Sequence, residues 1–261
     1  MCNLKARFII LSLIFFSITF NQVKSEEKTK LLEVDWSFKG ITGKFDRSSL
    51  QRGYQVYTEV CASCHSMNLV SYRNLGEPGG PEFSVDQVKA IAANFEVEDG
   101  PNADGDMFTR PGRPSDKFVS PYPNVQAATA ANGGAYPPDM SVLVKARKGG
   151  ADYIYSVLLG YDEPPAGMTL DDGVYYNTYM AGNKIKMSNP LSEGIVTYID
   201  GTEATEDQMA RDVTSFLAWA AEPHLEARHK IGFRAIVYLI IMTVLVYFSM
   251  KKLWSRIESK I

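Results

Sequence analysis

Cysteine is scarce in this chain, with three residues in 261, and histidine is no commoner. Three cysteines cannot build a disulfide framework, so any chemistry they carry is local. Long apolar runs are equally few, one near each end, which excludes a many-helix membrane protein. Basic charge is short as well. Lysine and arginine number 27 against 30 acidic residues, for a formal net charge of -3. The first 25 residues hold three basic residues and no acid, and the last 31 hold five against one, so residues 26–230 bear a net charge of -10. A body that acidic is a poor partner for nucleic acid. The remaining composition, 45% hydrophobic and 22% charged, excludes collagen-like and disordered chains and leaves enough apolar surface for a full core. No internal repeat is visible.

The two ends account for the charge asymmetry. Lys5 and Arg7, the apolar run Phe8 to Phe20, and Val23 and Ser25 read as a secretory signal over residues 1–25, cut before Glu26. That run is too short to span a bilayer, which takes about 20 residues. The second run, Ala235 to Met250, is uncharged, and Ile231 to Phe233 lengthen it by one helical turn. Arg234 can reach back to the headgroups, which permits a transmembrane anchor over residues 231–250. Lys251, Lys252 and Arg256 follow, with Trp254 at the interface. Basic residues remain on the cytoplasmic side, so residues 251–261 form a cytoplasmic tail and residues 26–230 an exported, periplasmic domain.

Inside the body, regular elements stand at the edges. Ser48 and Ser49 can cap a helix whose positions Leu50, Tyr54, Tyr57 and Val60 share one face, ending at Cys61. A second helix starts at Thr205, with Gln208 completing a capping-box pattern, and stops before Pro223. Its apolar face is Met209, Val213, Phe216, Leu217 and Ala220. Between them, turn formers dominate and leave room for helix only around Ser141 to Arg147 and Asp152 to Leu159. A loop-rich middle of this length points to something large and apolar at the centre.

Cys61-Ala62-Ser63-Cys64-His65 names that object, because C-x-x-C-H is the pattern of c-type haem attachment. Two thiols one helical turn apart can add to the two vinyl groups on one porphyrin edge, and the adjacent histidine can reach the iron. A zinc half-site would need a second pair of ligands, yet only His224 and His229 remain, just before the anchor, and Cys2 lies in the leader. A thioredoxin-like pair should follow a strand, and it has no use for the histidine. The sixth iron position is open on the residues alone. Met187, in the polar stretch Gly182 to Pro190, stands in a loop able to bend a thioether onto iron, and Met168 and Met180 lie in comparable loops.

Several further stretches extend the signal over the whole mature chain. They are Cys61 to Met67, Tyr72 to Leu75, Ala131 to Ser141, Ala146 to Gly150, Asp152-Tyr153, Gly160-Tyr161, Pro164-Pro165, Asp200 to Thr202 and Trp219 to Pro223. Together, in this order, they resemble cytochrome c1, the haem subunit of the ubiquinol–cytochrome c reductase (cytochrome bc1) complex. The resemblance implies a mostly α fold: a class I c-type cytochrome core with long loop-rich insertions, plus one C-terminal transmembrane helix. It implies one covalently attached haem c, with Cys61 and Cys64 in thioether bonds and His65 and Met187 as axial ligands. It also places Pro138 against the porphyrin, Arg147 on a propionate with Tyr153 and Asn132 nearby, and Ile185 on the methionine side. Ser188 stands where many members have proline, Tyr136 and Met140 replace common leucines, and Lys184 and Lys186 add charge to the methionine loop.

The implied function is transfer of single electrons from the Rieske iron–sulfur protein to a soluble or tethered cytochrome c, in a complex with a cytochrome b subunit. With both axial sites filled, the iron has no position for substrate, so the chain is an electron carrier within an oxidoreductase. The run Glu96, Glu98, Asp99, Asp104 and Asp106, with no basic residue between, would steer a basic acceptor. A haem peroxidase would need a distal acid–base group, and no body histidine is left to supply one. A membrane-tethered haem sensor would need more than a dozen cytoplasmic residues to carry a signal.

Overall fold

The computed structural model describes residues 29–258. The expected leader, residues 1–25, and the last three residues of the basic tail lie outside them. The described chain is mostly helical: α1 (Arg47–Val56), α2 (Val85–Ala93), α3 (Val125–Ala131), α4 (Gly150–Leu159), α5 (Glu206–Ala221) and α6 (Leu225–Glu258). Two small antiparallel ribbons interrupt the loops, β1 (Glu96–Asp99) with β2 (Phe108–Pro111), and β3 (Tyr175–Tyr176) with β4 (Lys184–Ile185).

The expected pair of terminal helices is present. Leu50, Gly53, Tyr54 and Val56 form the buried face of α1, and all five apolar positions expected on α5 are buried. The cap of α1 differs from expectation. Asp46, two residues upstream of Ser48, accepts the backbone N–H of Ser49 at 3.0 Å, since a carboxylate is the stronger acceptor at a positive helix end. Thr205 caps α5 as expected, accepting from Gln208 N at 3.1 Å. The Gln208 amide turns instead to Asp212 at 2.9 Å, so only half of the capping box forms.

Helices α1 and α5 cross at Gly53. A Cβ there would lie 2.0 Å from the Asp212 carbonyl oxygen and 2.8 Å from Phe216 Cβ, so only glycine lets the backbones approach this closely. Beside the crossing, the buried Asp212 carboxylate is held by Arg52 at 2.7 Å and by the Ser49 hydroxyl at 2.7 Å. The core then extends outward through aromatic contacts, Tyr57 to Phe216 at 5.7 Å and Tyr72 to Phe118 at 4.8 Å.

The middle contains more regular structure than its turn content suggests. Helix α2 starts from a full capping box, Ser84 with Gln87. The segment around Ser141 to Arg147 makes turns, with Ala146 N bonded to the Val142 and Leu143 carbonyls, and then stops at Gly149 and Gly150, whose φ values are 97° and 57°. Those two glycines reset the chain direction before α4.

Helix α6 runs 34 residues. Its most apolar stretch has a mean hydropathy of 2.2 and none of it is buried. At about 1.5 Å per residue its length exceeds the bilayer core of about 30 Å. It fits a single-pass anchor, and it is continuous with the domain through its first turn. There the Arg47 guanidinium grips Glu226 with two hydrogen bonds, of 2.8 and 3.0 Å, and Phe45 N donates to the same carboxylate at 3.1 Å.

Candidate functional site

The last turn of α1 widens before it reaches the cysteines. Residues Tyr57–Cys61 form a π-type turn in which Ala62 N bonds to the Tyr57 carbonyl at 2.8 Å. One inserted residue of this kind re-aims the following side chains, a device common at functional sites. Cys64 N and His65 N then both bond to the Cys61 carbonyl, at 3.2 and 2.9 Å, so Cys61, Cys64 and His65 stand on a single turn. Both thiols are free. Burial pushes the Cys61 thiol up to about 12, with the Cys64 sulfur adding to the shift. A thiol so far from ionisation is a poor nucleophile for redox exchange. Among the described residues, no group of three or more histidine, cysteine or acidic side chains is placed to hold a metal ion.

The His65 ring is fixed by one bond. Its Nδ1 donates to the Pro138 carbonyl at 2.8 Å, which settles the tautomer and leaves the Nε2 lone pair as the free donor. Burial lowers the His65 pKa against the opposing pull of that carbonyl, so the ring stays neutral at physiological pH. A neutral imidazole with an outward Nε2, next to two unpaired thiols one turn apart, is the donor set that a covalently attached haem requires. The residues therefore fit that group.

Pro138 is held in register by Asp139, a residue whose role is not apparent from the motif alone. Its carboxylate accepts from Ser66 Oγ at 2.9 Å, Asn68 N at 2.9 Å and Ser141 N at 2.8 Å. Ser141 Oγ in turn accepts from Leu69 N at 3.0 Å, and Met140 N bonds to the Ser66 carbonyl at 2.8 Å. The segment carrying His65 is thus sewn to the segment carrying Pro138. Burial pushes the Asp139 carboxyl up, but the hydrogen bonds from Ser141, Asn68 and Ser66 outweigh it and hold the group below its ordinary value. The readable signal was the Asp-x-Ser spacing, which forms an Asx turn here. Tyr57 adds a further hold, its hydroxyl donating to the His65 carbonyl at 3.3 Å.

The other expected site residues fall in separate groups. Ile185 is the last residue of β4, paired with Tyr175, and Met187 follows the ribbon, where the Tyr161 hydroxyl donates to the Met187 carbonyl at 3.0 Å. Lys186 reaches across to the Gly133 carbonyl at 2.8 Å, tying the methionine loop to the turn after Asn132. The Asn132 amide itself caps α3 through the Ala128 carbonyl at 2.7 Å. Tyr153 donates to the Met180 sulfur at 3.3 Å. Arg147 is exposed, and its guanidinium donates to the Ala146 carbonyl at 3.3 Å. Among the described residues, no hydrogen bond joins the His65 turn to Met187.

The acidic run is differently disposed from its sequence. Pairing of β1 with β2 brings Arg110 onto Asp99, and the same guanidinium binds Asp116 at 2.7 Å. That pairing holds the Asp99 carboxyl below its ordinary value and takes its charge out of the field. Glu96, Glu98, Asp104 and Asp106 remain exposed, the last two presented by a turn in which Asn102 Oδ1 accepts both of their backbone N–H groups at 2.9 Å.

Helical fold, single-turn thiol pair and oriented histidine define a c-type haem domain continuous with a helix long enough to span a bilayer. The relation to known proteins is narrower. The chain belongs to the cytochrome c1 family: the profile of the Cytochrome C1 family matches residues 36–257. It is 46% identical over 248 residues to cytochrome c1-2, heme protein, mitochondrial, of Solanum tuberosum, covering 95% of this chain and 94% of that protein. Cytochrome c1 of Rhodospirillum rubrum is 44% identical over 250 residues, covering 90% and 91%. The cytochrome b/c1 of Bradyrhizobium diazoefficiens is 53% identical over 239 residues; the match takes in 84% of this chain and spans 35% of that protein's length. Membership makes the chain an electron-transfer protein with a covalently bound haem c.

Proposed function

We propose that the chain is the electron-carrying subunit of a ubiquinol–cytochrome c reductase, receiving single electrons from a Rieske iron–sulfur protein and delivering them to a soluble or tethered cytochrome c. The observation that carries this reading is the His65 turn, with its imidazole locked on the Pro138 carbonyl beside two free thiols. When bound, the haem supplies a one-electron change between ferrous and ferric iron. Cys61 and Cys64 would attach it, and His65 Nε2 and Met187 would hold its iron.

Tyr161 and Lys186 keep the methionine loop in place, one by the Met187 carbonyl and the other through Gly133. Pro138 and Ile185 would pack against the group. Arg147, with Tyr153 and Asn132, would answer its propionates, because a carboxylate near the interior needs a cation or donors. With the iron held on both sides by protein, this subunit would make and break no substrate bond. A thioether in the sixth position favours ferrous iron over ferric, which suits a carrier late in a chain of donors.

The family relation supports a complex with a cytochrome b subunit. The α6 helix supports a place in the inner membrane, and Lys251, Lys252 and Arg256 at its far end support a cytoplasmic C-terminus. The haem domain, residues 26–230, then lies on the periplasmic side after removal of residues 1–25.

The test is the absorption spectrum of the purified haem protein, oxidised and reduced, with and without carbon monoxide. The expected wild-type spectrum is low-spin and indifferent to carbon monoxide. Met187→Ala should open the iron, so that carbon monoxide binds at once. A wild type that binds carbon monoxide readily, or a Met187→Ala variant that still refuses it, rejects the assigned ligand set.

A further inference from the structure

The loop that precedes α1 is built to display one aliphatic side chain beside the first turns of α6. Its base is closed: Lys39 N bonds to the Trp36 carbonyl at 2.9 Å, and Lys44 N bonds to the Ser37 carbonyl at 2.9 Å. Phe38 is clamped between Trp36 and Phe45, at ring distances of 5.5 and 5.0 Å. Gly43 has no room for a side chain, since a Cβ would meet the Phe38 carbonyl oxygen at 2.3 Å. On this stiff base the tip residue, Ile41, is 89% exposed.

The depth of the loop along α6 is set by one contact. His229 Nδ1 donates to the Gly43 carbonyl at 3.3 Å, two residues before the apolar stretch that opens at Ile231. Two residues of helix rise amount to about 3 Å. Ile41 is two residues from Gly43 and so within about 7 Å of it. A headgroup layer is roughly 5–8 Å thick on each side of the hydrocarbon core. When α6 spans a bilayer, Ile41 therefore stands within about 10 Å of the start of the apolar stretch, in reach of that layer.

Charge at this end runs against that of the domain. Lys39 and Lys44 flank Ile41, and Lys230 and Arg234 continue the basic character along α6, on a body of net -10. Three of the nearby acids are engaged: Asp46 caps α1, Glu226 is gripped by Arg47, and Asp152 lies 3.9 Å from Lys39 while accepting the Trp36 ring N–H at 2.7 Å.

We propose that the loop of residues 38–43 is a second membrane contact, with Ile41 entering the headgroup–acyl boundary and Lys39 and Lys44 meeting the phosphates of anionic lipids. This rests on the reading of α6 as the membrane anchor. A basic flank around an exposed aliphatic tip is the combination that interfacial segments use to hold a bilayer surface.

The test uses the full haem-loaded chain in nanodiscs of phosphatidylcholine and phosphatidylglycerol, in a Cys2→Ser background. Spin labels are placed at Ile41→Cys, at Val237→Cys in α6 and at Glu98→Cys on the acidic ribbon. Accessibility to oxygen and to a water-soluble nickel chelate is read by power saturation, with the reduced haem spectrum checking each variant's fold. At Ile41 the oxygen-to-nickel ratio should exceed that at Glu98 by at least about 3-fold and approach that at Val237. Adding Lys39→Gln and Lys44→Gln should lower it. An Ile41 label as open to nickel as Glu98, with Val237 in lipid, overturns the contact and spares the anchor. A Val237 label open to nickel overturns the anchor itself. An Ile41 label closed to both reagents points to a protein cover and also overturns the lipid contact.

Discussion

At the scale of single residues, the site depends on two hydrogen-bonded orientations, and Asp139 controls one of them. Its carboxylate is held below its ordinary value, so the linkage has a definite sign. A depressed carboxylate contributes stability that is present above the unfolded value of about 3.9 and is lost as pH falls through the folded value. Asp139→Asn should therefore lower the thermal midpoint at pH 7 by about 2–8 °C. That range corresponds to about 1–2 kcal/mol for charge-assisted bonds on a partly exposed group. The gap to wild type should narrow as pH falls below about 4 towards the folded value, as thermal unfolding followed by circular dichroism at pH 7 and pH 3 would record. A pH-independent gap would mean that shape, not charge, holds the clasp.

Residue-level chemistry was also the most legible part of the sequence. The spacing of Cys61, Cys64 and His65 announces its chemistry because covalent attachment to a rigid porphyrin tolerates one geometry. Tyr161 was invisible as a partner, since a hydrogen bond to a backbone carbonyl leaves no trace in spacing, and the Asp-x-Ser spacing shows the local turn at Asp139 but not its reach to Ser66 and Asn68. Arg110 was hidden for a related reason: only strand pairing brings it to Asp99.

At the scale of elements, the crossing of α1 and α5 carries the domain. Both helices were readable from periodicity, because one face of each is buried and the other solvated. Their closeness was not, since it rests on a single missing side chain. Gly53→Ala should cost at least about 3 kcal/mol, because the added carbon meets backbone oxygen, which cannot rotate away. Gly232→Ala, whose Cβ would meet nothing within 4 Å, should leave the midpoint unchanged or raise it slightly. Urea denaturation of the two haem-loaded variants, side by side, checks the pair. The short ribbons escaped sequence reading because a four-residue strand such as Glu96–Asp99 offers two alternations at most, and charged residues fill three of its four positions.

At the scale of the whole molecule, four exposed carboxylates on and after β1 give the acidic body a local focus. The fold removes Asp99 from that group, so the field is tested by Glu96→Gln, Glu98→Gln, Asp104→Asn and Asp106→Asn together. With a basic cytochrome as acceptor, stopped-flow oxidation of the reduced haem protein should slow about 10-fold at low ionic strength. Its dependence on salt should flatten, and the haem spectrum should not change. Asp99→Asn belongs to another class, because it removes one of the two carboxylates that hold Arg110, leaving Asp116, and so loosens the ribbon.

The clasp between Arg47 and Glu226 makes the membrane segment a mast instead of a leash. Between Glu222 and the apolar stretch there is only a two-residue turn, Pro223 and His224, before continuous helix, and Phe45, Arg47 and Gly43 all grip that helix's opening turns. A flexible linker would let the domain sweep a volume that grows with linker length and present its redox edge in every direction. A mast abolishes that search and fixes the bearing of the edge relative to the bilayer. In the proposed role, the freedom needed to meet one partner and then another would therefore reside in the partners, whose local concentration at a stationary edge would set the pace of exchange.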